Sequence, residues 1–163
     1  MIVLIQSALA MIVALLPPPA QTGPKAEVTL AAMAGKWALV AMERDGERVD
    51  ATKPEIPPMQ LTVKGDTYEA WSGAPFVFTS TEAGTIKVAG STGKVLRIET
   101  KFKQTTSSKN GDEVTKGEKK ELWELMDKET LRICRGEGSA WPDGFKTKKD
   151  DGRMVWTLTR VKE

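Results

Sequence analysis

Alternation of apolar and charged residues in Lys94–Lys103 is the feature that most limits the possible folds. Leu96, Ile98 and Phe102 would share one face of an extended strand, and charged side chains fill the other face. A strand with one apolar and one charged face belongs to a sheet that meets water on one side, which favours antiparallel pairing over a doubly covered parallel sheet. The segment therefore predicts an antiparallel β-sheet.

The remaining strand signals are short segments bounded by turn residues. We predict one two-turn helix over 28–34 and strands over 37–44, 60–64, 67–72, 76–81, 85–89, 94–103, 121–126, 130–135 and 153–162. Glu82–Gly84 is interpreted as a turn, and the polar stretch 105–119 as a long hairpin tip around Asn110-Gly111. Because almost no helix is available to cover a sheet face, the sheet must close on itself. The prediction is an all-β, antiparallel up-and-down barrel of eight or nine strands.

The first twenty residues resemble an export signal rather than part of the fold. Met1 to Ala20 carries no charged side chain, and Pro17, Pro18 and Pro19 end its apolar run. That run is shorter than the roughly 20 residues of a membrane-spanning helix, and it has the pattern of a signal peptide cleaved near Ala20. The alternative is that this segment stays attached as an N-terminal anchor. In that case we expect it to be the protein's only contact with a membrane. We expect residues 21–27 to be a flexible lead-in, residues 28–163 to form the barrel domain, and the protein to be exported to the periplasm, the cell envelope or the exterior.

Composition argues against several classes of function. Lys and Arg number 24 against 22 Asp and Glu, a net charge of +2, and the two signs are interleaved rather than gathered into the basic stripe of a nucleic-acid-binding protein. The chain has no histidine and a single cysteine, so the commonest general base and the commonest transition-metal ligand are missing. The carboxylate pair Glu121 and Glu124 is expected to be solvated. We therefore expect no enzyme activity, no cofactor and no metal site.

Residues near both ends of the predicted barrel domain indicate that the barrel closes between its first and last long strands. Gly35-Lys36-Trp37 opens the first long strand, and Arg160 lies near the end of the last one. A closed barrel would bring these strands together, and the Arg160 guanidinium over the Trp37 ring would form a cation–π contact worth roughly 0.5–2 kcal/mol.

This pairing and several further motifs resemble a known family. The pattern of a Gly-x-Trp tryptophan beneath an arginine of the final strand resembles the lipocalins. Together with five further motifs, this pattern is similar to a family of small exported bacterial proteins with a lipocalin-like domain. The five motifs are Asp45-Gly46, Gly65-Asp66-Thr67-Tyr68, Leu131-Arg132-Ile133-Cys134, Trp141-Pro142-Asp143-Gly144-Phe145 and Leu158-Thr159-Arg160. The resemblance covers about residues 30–162 and implies a lipocalin-like barrel.

An eight-stranded barrel has an interior wide enough for side chains or for one small molecule. We expect one small apolar ligand inside the barrel, and the candidate inward-facing residues are Leu39, Val63, Tyr68, Phe78, Ile98, Phe102, Leu125 and Trp156. The alternative is a filled barrel that acts as a protein-interaction or structural module of the cell envelope, with Trp71 and Trp141 as exposed anchors. An apolar cavity of roughly 300 Å³ or more would favour the ligand, and a filled interior beside an exposed apolar patch would favour the partner.

Two further elements carry expectations. The loop residues Trp141, Pro142 and Phe145 are expected to plug one end of the barrel, or alternatively to act as a gate or partner anchor. Cys134 is expected to be a buried small hydrophobe rather than a reactive thiol.

Overall fold

The computed structural model describes residues 28–74, 77–136 and 140–162. A single 3₁₀ helix, Leu30–Met33, precedes nine strands: β1 (Gly35–Arg44), β2 (Glu47–Asp50), β3 (Met59–Lys64), β4 (Thr67–Ala74), β5 (Phe78–Thr92), β6 (Val95–Ser108), β7 (Gly111–Leu125), β8 (Thr130–Arg135) and β9 (Met154–Arg160). The signal segment 1–20 and the lead-in 21–27 lie outside the described residues.

The strands form a closed antiparallel barrel, as predicted. From β3 to β9 each strand pairs with the next along the chain, and β9 returns to pair with β1. The extra strand, β2, forms a hairpin with the C-terminal half of β1, where Ala41 pairs with Asp50. The N-terminal half of β1, Gly35–Ala38, pairs with β3 instead. Because one edge of β1 is shared between two strands, the connection 51–58 has to span the space between them.

The lower end of the barrel, where β1 begins and β9 ends, is sealed as the closure signals predict. Trp37 and Arg160 are direct partners in the β1–β9 register, and the Arg160 guanidinium lies 4.1 Å from the centre of the Trp37 ring. The indole Nε1 of Trp37 donates to the Met33 carbonyl at 2.9 Å, which ties the 3₁₀ helix across this end. Gly35 has φ +124°, and a Cβ there would lie 2.7 Å from Nη1 of Arg160. Glycine is therefore required beside the arginine.

The lower half of the barrel interior is filled by apolar side chains. The core cluster consists of Met33, Trp37, Leu61, Val63, Tyr68, Ala70, Ile86, Leu96, Ile98, Trp123, Leu131, Ile133 and Leu158. They lie at alternating positions of their strands, since successive side chains of a strand point to opposite faces. Interdigitated packing of this kind is what gives a protein interior its density, so the lower half is a solid core.

Two segments were assigned wrongly and one strand was missed. The predicted turn at Glu82–Gly84 lies inside the continuous strand β5, and the polar stretch 105–119 belongs to strands β6 and β7, which meet in a turn at Lys109 and Asn110. The short strand β2 was not predicted. The stretch 105–119 contains three threonines, which are β-branched and favour strands despite their polarity.

Candidate functional site

The inward face of the barrel changes from apolar to polar along each long strand. On β6 the inward positions run Leu96, Ile98, Thr100, Phe102 and Gln104, and the register pairs Ile98 with Glu121 and Thr100 with Lys119 of β7. The next strand, β8, pairs its last residue, Arg135, with Glu121. Charged groups from neighbouring strands are thereby brought together above the apolar core.

These groups form an interior ion cluster, which we define as Tyr68, Glu82, Lys119, Glu121 and Arg135. Glu82 accepts hydrogen bonds from the Tyr68 hydroxyl at 2.7 Å, from Lys119 Nζ at 2.5 Å and from Arg135 Nη2 at 3.0 Å. Arg135 Nε forms an ion pair with Glu121. The cluster contains two carboxylates and two cations, so its charges cancel.

Aromatic rings complete the surroundings of the ion cluster. Lys119 Nζ lies 3.9 Å from the centre of the Phe102 ring, and the Arg135 guanidinium lies 4.0 Å from that of Trp156. The indole Nε1 of Trp123 donates to Glu121 at 2.7 Å. Gly117 leaves room for Phe102, since a Cβ there would lie 3.0 Å from two atoms of that ring. Every charge in the cluster therefore has a counter-charge or a ring beside it.

Burial and neighbouring charges shift the pKa values in the ion cluster in different directions. Burial alone would raise the pKa of Glu82, but Arg135, Lys119 and Tyr68 outweigh it and hold the pKa below its ordinary value. Burial and the charge of Arg135 lower the pKa of Lys119, with partial compensation by Glu82. Burial, followed by the charge and hydrogen bond of Glu82, raises the pKa of Tyr68, so that phenol stays a hydrogen-bond donor.

The expected ligand-contacting residues are distributed between core and rim. Val63, Tyr68 and Ile98 are buried members of the core, and Leu39, Phe102, Leu125 and Trp156 are partly buried and packed against it. Phe78 instead lies at the tip of the long strands, beside a 300 Å³ depression that also contacts Val77 and Lys109. Seven of the eight expected ligand-contacting residues therefore lie close together, but they pack against one another instead of lining an open cup.

An apolar pocket lies in the barrel wall, and we call it the wall pocket. Its volume is about 330 Å³ and its lining comprises Ala38, Leu39, Ala51, Thr52, Lys53, Pro54, Ile56, Pro58, Met59 and Gln60. It lies where β1 leaves β3 for β2, beneath the connection 51–58. Prolines in that connection cannot donate backbone hydrogen bonds, so the segment cannot fill the space as a regular strand.

The floor of the wall pocket is continuous with the core. Leu39 and Met59 both line the pocket and pack against the core cluster. A larger depression of about 440 Å³ on the outer face of β3–β5 includes the polar and charged residues Thr62, Lys64 and Glu69 in its lining. Of these two depressions, the wall pocket has the larger share of apolar residues.

The loop around Trp141 covers the outside of the barrel, which differs from the expected plug. Trp141 and Phe145 pack on a second apolar cluster, Leu122, Cys134 and Val155, whose side chains point outward because their strand neighbours Trp123 and Ile133 point into the core. The Trp141 ring has Lys120 Nζ at 4.3 Å and the Arg97 guanidinium at 5.8 Å from its centre, and Arg132 lies 4.6 Å from the centre of Phe145. This apolar outer surface requires a cover, which the loop supplies.

Four interior polar residues were missed from the sequence. Glu82 was assigned to a turn, Thr100 was given no role, Lys119 was assigned to a hairpin tip, and Glu121 was expected to be solvated but has no exposed surface. Trp71 and Trp141, the proposed exposed anchors, are both only half exposed. The missed signal was cross-strand: Glu82 and Glu121 occupy inward positions, and their burial depends on opposite charges that other strands place beside them.

The described residues contain neither a cluster of metal ligands nor a membrane-spanning helix. Within 28–74, 77–136 and 140–162, no group of three or more potential metal ligands is clustered. In the same part of the chain, no helix has the length and hydropathy that crossing a membrane requires.

The chain was also compared with known proteins: no family model, no curated protein and no solved structure matches it. The resemblance to lipocalin-like proteins therefore stays a prediction from the motifs.

Proposed function

We propose that this protein is a non-catalytic, exported β-barrel that binds one small apolar ligand in the wall pocket. The observation that carries the proposal is the pocket's volume of about 330 Å³ combined with a lining in which seven of the ten residues are apolar. Ligand sites in proteins begin at roughly 300 Å³ and are lined predominantly by apolar groups with a few polar ones. The wall pocket meets both criteria, at the lower end of the size range.

The lining suggests which ligand chemistry fits. Leu39, Ile56 and Met59 offer apolar surface to the body of a ligand, and Lys53 supplies an exposed ammonium group at the rim. An acyl chain of medium length, with its carboxylate at Lys53, satisfies both features. We therefore expect octanoate to bind more tightly than octanol.

The ion cluster supports placing the ligand in the wall rather than inside the barrel. Its carboxylate Glu82 is held by Lys119, Arg135 and Tyr68, so a charged group that approached Glu82 would have to displace an existing ion pair. Below it, the interior is occupied by the core. A ligand in the wall pocket disturbs neither arrangement.

Tryptophan fluorescence provides a direct titration of the wall pocket. Trp71 is the register partner of Gln60, a lining residue, so its emission should respond to a bound molecule. We expect saturable changes with octanoate, weaker binding of octanol, and loss of the octanoate preference in Lys53→Gln. The signal should disappear in Trp71→Phe, while calorimetry of that variant still detects binding. The absence of saturable binding of either probe by calorimetry would contradict the proposal and favour the interaction-module alternative.

A matched pair of variants locates the ligand. Ile56→Asp places a carboxylate in the lining of the pocket, and we expect it to weaken octanoate binding by roughly tenfold or more, because a charge must be desolvated against an apolar chain. Val49→Asp makes the same change on the exposed β2 strand, outside the lining, and should leave affinity unchanged. Equal losses in both variants would place the ligand elsewhere.

Export is tested separately on the full chain. Its support is the charge-free apolar run of Met1–Ala20. We expect the intact mass of protein recovered from the producing cell's envelope or medium to correspond to a chain that begins near Gln21. Recovery of the uncleaved chain in the membrane fraction would support the anchor, and recovery in the cytoplasm would contradict export.

A further inference from the structure

The first part of β7 presents an edge with which no described strand pairs. It pairs with β6 along its whole length, from Gly111 to Glu124, whereas β8 contacts only Glu121–Leu125. Within the described part of the chain, no strand pairs with the other edge of Gly111–Lys116. Free edges of this kind are templates for pairing with another chain.

The outward side chains at this edge are exposed and chemically complementary to one another. Asp112, Val114 and Lys116 alternate along β7 and therefore share one face. Val114 is 53% exposed, and neither Asp112 nor Lys116 has an ion-pair partner among the described residues. Lys116 instead lies directly opposite Lys103 in the β6–β7 register, and like charges in such positions are destabilising. A carboxylate from outside the chain would relieve that repulsion.

We propose that the free edge of β7 binds a second copy of this chain, with the two β7 strands antiparallel and centred on Val114. In this register each Val114 meets its equivalent, and Asp112 of one copy faces Lys116 of the other on both sides of the two-fold axis. Gly111 then lies opposite Gly117, and Glu113 opposite Thr115, so no like charges face each other.

Self-complementarity is the reason for choosing a second copy as the occupant. A two-fold interface uses the same patch on both subunits, and here a cation and an anion lie two residues either side of an exposed valine. The contact is a single strand pair, smaller than the 1,200–2,000 Å² or so of a typical stable interface. We therefore expect a weak dimer, with a dissociation constant of roughly 10 μM to 1 mM.

Charge-reversal variants test both the dimer and its register. Sedimentation velocity of the native chain should show dimer increasing with concentration across that range. Asp112→Lys and Lys116→Asp should each weaken self-association by roughly tenfold, because both symmetric ion pairs become repulsive. Combining the two changes in one chain should restore the native affinity. An equimolar mixture of the two single variants should form a heterodimer, since it contains two favourable pairs.

Controls make each outcome decisive. Lys64→Asp introduces the same change in charge on the exposed end of β3 and should leave the dissociation constant unchanged. All substituted side chains are on the surface, so thermal unfolding should confirm that the variants fold. A native chain that is monomeric at every concentration overturns the proposal. A dimer that survives the single reversals, or is not restored by the double reversal, overturns the register and the assigned surface.

Discussion

The guanidinium of Arg160 lies 4.1 Å from the centre of the Trp37 ring and also donates hydrogen bonds to the Ala34 and Ala32 carbonyls, at 2.7 Å and 3.1 Å. One side chain of the last strand thus holds the first strand and the 3₁₀ helix before it. Trp37 has no exposed surface. The seam of the barrel and the closure of its lower end therefore depend on the same two residues.

Trp37→Ala should destabilise the protein by about 3–5 kcal/mol, the usual cost of removing a large core side chain. The substitution creates a cavity and removes both the hydrogen bond to Met33 and the ring beneath Arg160. The free energy of unfolding from urea titration measures the effect. Trp71→Ala, at a half-exposed position, should cost clearly less. An unchanged urea midpoint for Trp37→Ala would show that this indole does not support the core.

Glu82→Gln should destabilise the barrel and change its response to acid. Removing the carboxylate leaves Arg135 and Lys119 with one buried counter-charge fewer, and breaking a buried pair costs about 3–5 kcal/mol. The pKa of Glu82 is held below its ordinary value of 4.5 in the folded protein. Its ionisation therefore stabilises the fold above about pH 4.5 and ceases to do so as the pH falls through the folded-state pKa.

Urea titrations between about pH 7 and pH 3 measure this contribution. The native chain should lose stability over that range more steeply than Glu82→Gln, because the variant has no carboxyl group to protonate there. Glu118→Gln is the matched control, since Glu118 pairs with Lys101 on the surface and both side chains are more than 70% exposed. Its curve should parallel that of the native chain. Parallel curves for Glu82→Gln as well would contradict the assigned role of the interior carboxylate.

The sequence predicted the parts of the fold that local patterning determines. The alternation in Lys94–Lys103 and the paired signals Gly35-Lys36-Trp37 and Arg160 led to the antiparallel barrel and its seam, because both depend on residue type and position along one strand. Cys134 is buried, as expected.

The remaining features depend on cross-strand register, which one chain read linearly does not reveal. Glu82 was assigned to a turn between two predicted strands. A buried glutamate is costly unless it is paired, and its partners Lys119 and Arg135 lie 37 and 53 residues away. The wall pocket likewise arises from the division of one β1 edge between β2 and β3. The prolines of the connection 51–58 exclude it from a central strand, but they do not show that it lies over a gap.

Cys134 should react with thiol reagents only when the protein opens. Its side chain has no exposed surface, and burial raises the pKa of the thiol to about 11, so very little thiolate exists in the folded state near pH 8. We expect labelling by a disulfide reagent to be slow in buffer and fast in denaturing urea. Rapid stoichiometric labelling of the native chain would show that Cys134 is accessible.

Trp141→Ala should detach the outer cover while leaving the barrel closed. The ring contacts the outward cluster of Leu122, Cys134 and Val155 and lies against Lys120. Since Trp141 is half exposed, we expect a cost of about 1–3 kcal/mol, below that of a fully buried tryptophan. Labelling of Cys134 should accelerate, because this thiol lies under the loop.

Two measurements on Trp141→Ala distinguish a loop that covers the outer face of the barrel from a loop that plugs one of its ends. A loop that plugged a barrel end would, when removed, expose the interior, so the emission of the buried Trp123 would shift to longer wavelength. A loop on the outer face leaves Trp123 buried, so its emission should not change in Trp141→Ala once the lost contribution of Trp141 is subtracted. Cys134 labelling should also be faster in Trp141→Ala than in Trp37→Ala when the two variants are compared at urea concentrations that give them the same free energy of unfolding. The reason is that local opening of the loop exposes this thiol without unfolding the core. The opposite order would mean that Cys134 becomes accessible through global unfolding alone and that the loop does not protect it.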